Sequence, residues 1–148
     1  MKTKLFFMAV IVLTFSFFSC SSDDSGNETN PIEEEPIVEA GGFKWKEDGG
    51  NFIEADSAFF ASQYNTIKAY KADKFIEINL TAGTPGTYAV GAANAIAMAA
   101  NNDLYVATAG SLVVSENASG KMSGTFTSTG SGAGVTALEG SFDDLEVR

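Results

Sequence analysis

From Phe43 onward, apolar and polar residues alternate in short runs separated by glycine-rich breaks. Alternation with a period of two places successive side chains on opposite faces of a strand. The clearest instance is Phe75–Thr81 (FIEINLT). There Ile76, Ile78 and Leu80 share one face, and Glu77 and Asn79 the other. With Asn65–Lys71 across a turn at Ala72-Asp73-Lys74, this predicts a hairpin. Further strands are predicted at Phe43–Lys46, within Asn51–Ser62 (one strand or a pair), and at Tyr88–Val90, Leu104–Thr108, Ser111–Ser115 and Met122–Thr129. Asp48-Gly49-Gly50, Thr84-Pro85-Gly86 and Asn101-Asn102-Asp103 are breaks. Glu116–Lys121 reads as a hairpin loop and Gly130–Gly134 as a turn. Ala92–Ala100 (AANAIAMAA) reads as a strand. A helix of one or two turns is the alternative, because alanine has the highest helix propensity.

Val135–Arg148 reads as a closing strand whose parity slips. Leu138 and Phe142 are apolar at even positions, then Leu145 and Val147 at odd ones. One extra residue at Asp143-Asp144, a β-bulge, reconciles the two halves. Phe126 shares parity with Met122, and Phe142 with Leu138, so both phenylalanines are expected in the core. Eight or more short strands without a long helix predict an all-β fold over residues 41–148, an antiparallel sandwich or barrel.

The chain begins differently. Lys2 and Lys4 precede fourteen uncharged residues, Leu5–Phe18, followed by Ser19 and the sole cysteine, Cys20. A basic start, an apolar run and a small residue form an export signal. The run is short for a bilayer core of about 30 Å. Residues 17–20 (Phe-Phe-Ser-Cys) resemble the lipobox of bacterial lipoproteins, with Ser19 in its usual place and phenylalanines where Leu and a small residue are common. The resemblance implies cleavage after residue 19 and a lipid on Cys20, which would tie the protein to the membrane. Residues 21–40 carry seven carboxylates, two prolines and no basic residue. Such a segment lacks the apolar surface to offset its ordering entropy and is expected to be an extended, disordered tether. Ser22-Asp23-Asp24 resembles the signal that sends Bacteroidetes lipoproteins to the cell surface of the outer membrane; its periplasmic face is the alternative. Gly110-Ser111-Leu112, Met122-Ser123-Gly124-Thr125-Phe126 and Gly140-Ser141-Phe142, with Gly86-Thr87-Tyr88, are similar to small flavobacterial lipoproteins of uncharacterised families. That likeness implies a β-rich domain behind a lipoprotein signal, and no catalytic residues.

Charge narrows the partners. The chain has 9 basic and 19 acidic residues, a net of −10. With Lys2 and Lys4 removed, seven basic residues face nineteen acidic ones, a net of −12. Such a field repels nucleic acid and anionic head groups. There is no histidine, so Ser-His-Asp triads and imidazole metal sites are excluded. Acylation of Cys20 would remove the remaining thiol, and no cofactor or metal is expected. Asp48, Glu54, Asp56, Asp143 and Asp144 are the candidate acids. A glycosidase needs two carboxylates about 5–9 Å apart across one cleft, and adjacent Asp143 and Asp144 point to opposite faces of a strand. A hydrolase is therefore the weakest reading, and a non-enzymatic surface domain the leading one. Trp45, Tyr64, Tyr70, Tyr88 and Tyr105 are candidate sugar-stacking residues, which makes a glycan-binding module the runner-up; a protein ligand is the other option. Asp56-Ser57-Ala58 matches a three-residue O-glycosylation motif of Bacteroidetes, with Ser57 as the acceptor.

If residues 21–40 form no structure with the domain, deleting them will leave the thermal melting temperature unchanged. A drop of several degrees relative to the intact mature protein would show that the tether packs.

Overall fold

A computed structural model of the chain describes residues 42–148. The expected signal at 1–19, Cys20 and the tether at 21–40 lie outside the described residues. Ten strands follow in order: β1 (Phe43–Glu47), β2 (Ile53–Glu54), β3 (Ser57–Ala61), β4 (Thr66–Lys71), β5 (Lys74–Asn79), β6 (Gly86–Ala89), β7 (Ala95–Ala100), β8 (Asp103–Ala118), β9 (Lys121–Ser131) and β10 (Ala137–Val147). A 3-10 turn at Ser62–Tyr64 joins β3 to β4. Among the described residues there is no α-helix.

Seven strands close into a barrel in the order β3-β4-β5-β7-β8-β9-β10. Six of the seven junctions are antiparallel. The seventh is the parallel pairing of Glu146 and Val147 with Phe59 and Phe60, which joins β10 back to β3. Of the two architectures expected, sandwich or barrel, the chain adopts the barrel. Closure removes the unpaired edges that these seven strands would present as an open sheet, and leaves β2 and β6 as the edge strands.

Two long strands hold the additions. One edge of β10 pairs with β9 throughout. Its other edge is shared, with β1 on Leu138–Phe142 and β3 on Glu146–Val147. The expected bulge sits at this changeover. The register with β9 shifts between Phe142 and Leu145, and Asp144 has φ 52°. Ser123 on the partner strand satisfies the extra residue: its hydroxyl donates to Asp143 Oδ1 and accepts from the Asp144 amide, both at 3.0 Å. The bulge keeps Phe142 and Leu145 both facing inward, at 2% and 0% exposure. In the same way β8 gives one edge to β9 and shares the other between β7 and β6.

The interior is filled by side chains from every wall, among them Phe60, Ile67, Ile76, Ile96, Met98, Tyr105, Met122 and Leu145. Phe126 and Phe142 explain the glycines near them. Phe126 lies directly opposite Gly140, and Phe142 opposite Gly124. A Cβ at Gly140 would strike the Phe126 ring and the Lys44 carbonyl; one at Gly124 would strike the Phe142 ring and the Val113 carbonyl. Each strand thus contributes a Gly-x-Phe unit, and antiparallel pairing lays each ring over the other strand's glycine. Phe43 then stacks on both rings, with centroids at 5.5 and 6.4 Å.

Three expectations change. The two strands predicted at Leu104–Thr108 and Ser111–Ser115 are one strand, β8. Gly110 does not break it. At φ 146° Gly110 presses against the Thr127 carbonyl and Ser128, an approach that a side chain would block. The loop predicted at Glu116–Lys121 shrinks to Ser119-Gly120, both at positive φ (54° and 75°), as a tight two-residue hairpin requires. The turn predicted at Gly130–Gly134 starts late, because β9 runs to Ser131. Ala95–Ala100 is a strand: pairing with β5 and β8 on both sides overrides alanine's helix preference.

Phe142→Ala removes a ring from this packing and is expected to cost about 3–5 kcal/mol. The melting temperature should fall by more than about 10 °C. Gly140→Ala should also destabilise, whereas Asp143→Asn on the exposed bulge should change little. Thermal melts of the three variants test the arrangement.

Candidate functional site

Because side chains fill the barrel, chemistry must be sought on its outside. The five candidate rings do not make one platform there. Trp45 is buried at 1% exposure. Its indole N–H donates to Glu47 Oε1 at 3.0 Å, and Lys74 Nζ holds the same carboxylate at 2.6 and 2.7 Å. Tyr105 is buried at 0%, with its hydroxyl 3.1 Å from Ser128 Oγ. Tyr88 is half-buried and donates to the Thr84 carbonyl. Only Tyr64 and Tyr70 are exposed, at 68% and 40%. The reason is parity: Trp45 and Tyr105 occupy inward positions, and a ring there brings apolar area to the core. Tyr70 instead joins two phenylalanines absent from that set, Phe75 at 4.8 Å and Phe59 at 6.4 Å between centroids, on the outer face of β3–β5. Phe59 also carries the Arg148 guanidinium 4.5 Å from its ring centre.

The candidate acids are dispersed. Among the described residues no three His, Cys, Asp or Glu side chains gather as metal ligands do. Glu54 and Asp143 line one open depression with Lys44 and Ser141. Asp56 holds Lys71 Nζ and the Ala72 amide at the mouth of the β4–β5 hairpin; these bonds, that to Lys71 first, lower its pKa. Ser57, beside it, is exposed at the start of β3. Cys20 lies outside the described residues.

A trough runs along the outer face of β9 and β10, walled by the β1–β2 connection. Asp48 ties that connection down. Its Oδ1 accepts from the Thr136 hydroxyl (2.6 Å), the Thr136 amide (2.9 Å) and the Ala137 amide (2.9 Å), while its own amide donates to the Ala137 carbonyl at 3.0 Å. The Thr136 hydroxyl first, then the two amides, hold the Asp48 pKa below its ordinary value. Gly49 and Gly50 turn the chain, and Phe52 follows with 52% of its surface exposed. Two ammonium groups from β1 lie by its ring, Lys44 at 5.0 Å and Lys46 at 4.5 Å from the centre, within cation–π range.

Two adjoining depressions make up the trough and share Thr127 and Glu139. One is bordered by Gly49, Thr129 and Ala137, the other by Phe52, Thr125 and Ser141. Lys46 Nζ pairs with Glu139 Oε1 at 3.1 Å. The sequence carried a signal for this floor. Thr125-Phe126-Thr127-Ser128-Thr129 alternates so strictly that a strand must present three threonines on one face. That Phe52 and the β1–β2 connection would stand beside them depends on the pairing of β1 with β10, a contact distant in sequence.

A carboxyl whose pKa folding lowers stabilises the folded state above its ordinary range, and that contribution is lost as the pH falls through the folded value. Asp48→Asn should therefore lower the melting temperature at pH 7. The gap to the wild type should narrow in melts carried out below the carboxylate range.

No protein-family model matches the chain, nor does any curated protein or solved structure.

Proposed function

We propose that the chain is a lipid-anchored bacterial surface protein in which a non-enzymatic β-barrel stands on an acidic tether and meets its ligand through its outer face. The observation that carries this reading is the Lys2–Asp24 stretch, with the sole cysteine at the cleavage point of an export signal. Lipid on Cys20 supplies attachment that the acidic chain cannot obtain from anionic head groups. The filled interior supports contact at the outer wall, since a ligand would have to displace core side chains to enter. Placement on the outer membrane, facing the exterior, rests on Ser22-Asp23-Asp24. Ser57 is accessible, as an O-glycosylation acceptor must be. The runner-up, a glycan-binding module, loses the five-ring platform and keeps the trough beside Phe52.

Cys20→Ala should abolish lipid attachment and leave residues 1–19 uncleaved by the lipoprotein peptidase, so the variant should be recovered as the longer, unacylated precursor. Mass spectrometry of the mature wild-type protein showing an unmodified Cys20 thiol would overturn the anchoring.

A further inference from the structure

We infer that the trough over β9 and β10 is a binding site for a short, neutral saccharide chain, with Phe52 as its stacking surface. The inference rests on reading the barrel's outer face as the part that binds.

The floor is built of hydroxyl groups at strand spacing. Thr125, Thr127 and Thr129 point outward from β9, and Ser141 stands beside Thr125 on β10. Among the described residues, none of these four hydroxyls forms a hydrogen bond to another protein group, and the three threonines are exposed. Threonine hydroxyls both donate and accept, which matches the hydroxyls of a sugar. Glu139 adds a carboxylate acceptor in the middle of the floor, and Lys46 at 3.1 Å neutralises its charge. The wall supplies the apolar part. The Lys44 and Lys46 ammoniums lie over part of the Phe52 ring, and the ring surface they leave open, in a residue 52% exposed, borders the trough, where it can meet the C–H face of a pyranose. Thr125 to Thr129 spans four residues of strand, about 13 Å, which suits a chain of sugars better than a single ring.

Other ligand classes fit less well. A peptide strand cannot add to the floor, because both edges of β9 are paired, with β8 and β10, and strand addition needs unpaired main-chain groups. A phosphorylated or sulfated ligand would be repelled by the field of a chain of net charge −10. In the rival surface, Tyr70 packs at a tilt of 31° on Phe75, 4.8 Å between centroids, with Phe59 at 6.4 Å, so its ring is partly taken up by its neighbours, and among the described residues no column of hydroxyls lies beside it.

The test uses the full chain purified in detergent and an array of neutral, uronate-bearing and sulfated oligosaccharides, with hits titrated by calorimetry. A neutral oligosaccharide should bind. Phe52→Ala should weaken it by about tenfold or more, the usual range for a stacking anchor, and Thr127→Val by a smaller factor. Both variants should melt as the wild type does, and Tyr70→Ala should bind normally. The proposal is overturned if no neutral oligosaccharide binds, if only charged ones do, or if Phe52→Ala and Thr127→Val both bind like the wild type. Loss of binding on Tyr70→Ala alone would move the site to β3–β5 and overturn it as well. Binding by protein in detergent does not depend on where the chain is anchored. Failure here therefore leaves the lipid attachment of Cys20 standing, and failure of that attachment leaves this site standing.

Discussion

The structure depends on two phenylalanines lying over two glycines. Phe126 faces Gly140 and Phe142 faces Gly124 across the β9–β10 pair. Each ring occupies the space where a Cβ on the opposite strand would stand. Glycine within a strand costs entropy and contributes no side chain, and an aromatic partner across the strand offsets both losses by covering the bare backbone. The arrangement also sets register. A slip of one residue would send the rings outward, and a slip of two would drive them into residues with side chains. Phe43 from β1 completes the cluster, which brings the first strand of the domain onto the last.

Closure follows from how long strands share their edges. β10 must serve β1 along one stretch and β3 along another, and a regular strand would turn its apolar face outward across that change. The bulge at Asp143-Asp144 takes up the difference, and the Ser123 hydroxyl satisfies its polar groups. The two aspartates are therefore placed by geometry: the extra residue falls on the outer wall, where both carboxylates face solvent. Their adjacency reflects the construction of the barrel.

With the interior filled and the barrel edges paired, variation is left to the outer wall and the connections. The β1–β2 connection is tied by Asp48 to the start of β10 and carries Phe52 to the side of the threonine column. A shallow trough of this kind suits a ligand recognised through side chains. On the outer face of β3–β5, Tyr70 packs against Phe59 and Phe75, which take up part of its exposed ring.

The class of the fold, the hairpin at β4–β5, the bulge in β10 and the inward placement of Phe126 and Phe142 were all legible in the sequence. Each is a local consequence of period-two alternation, and parity survives whatever the strands pack against. The threonine column on β9 was legible for the same reason. What the sequence alone left undecided was anything that depends on partners distant along the chain. Barrel or sandwich turned on the parallel contact of Glu146 and Val147 with Phe59 and Phe60. The continuity of β8 through Gly110 turned on the close approach of β9. Trp45 shares parity with Phe43 in an alternating strand, but Tyr105 lies between apolar Leu104 and Val106, and only the tertiary structure turned Tyr105 inward and its two neighbours outward. The same long-range pairing of β1 with β10 set Phe52 beside Thr125 and Thr127, so the trough exists only in the tertiary structure.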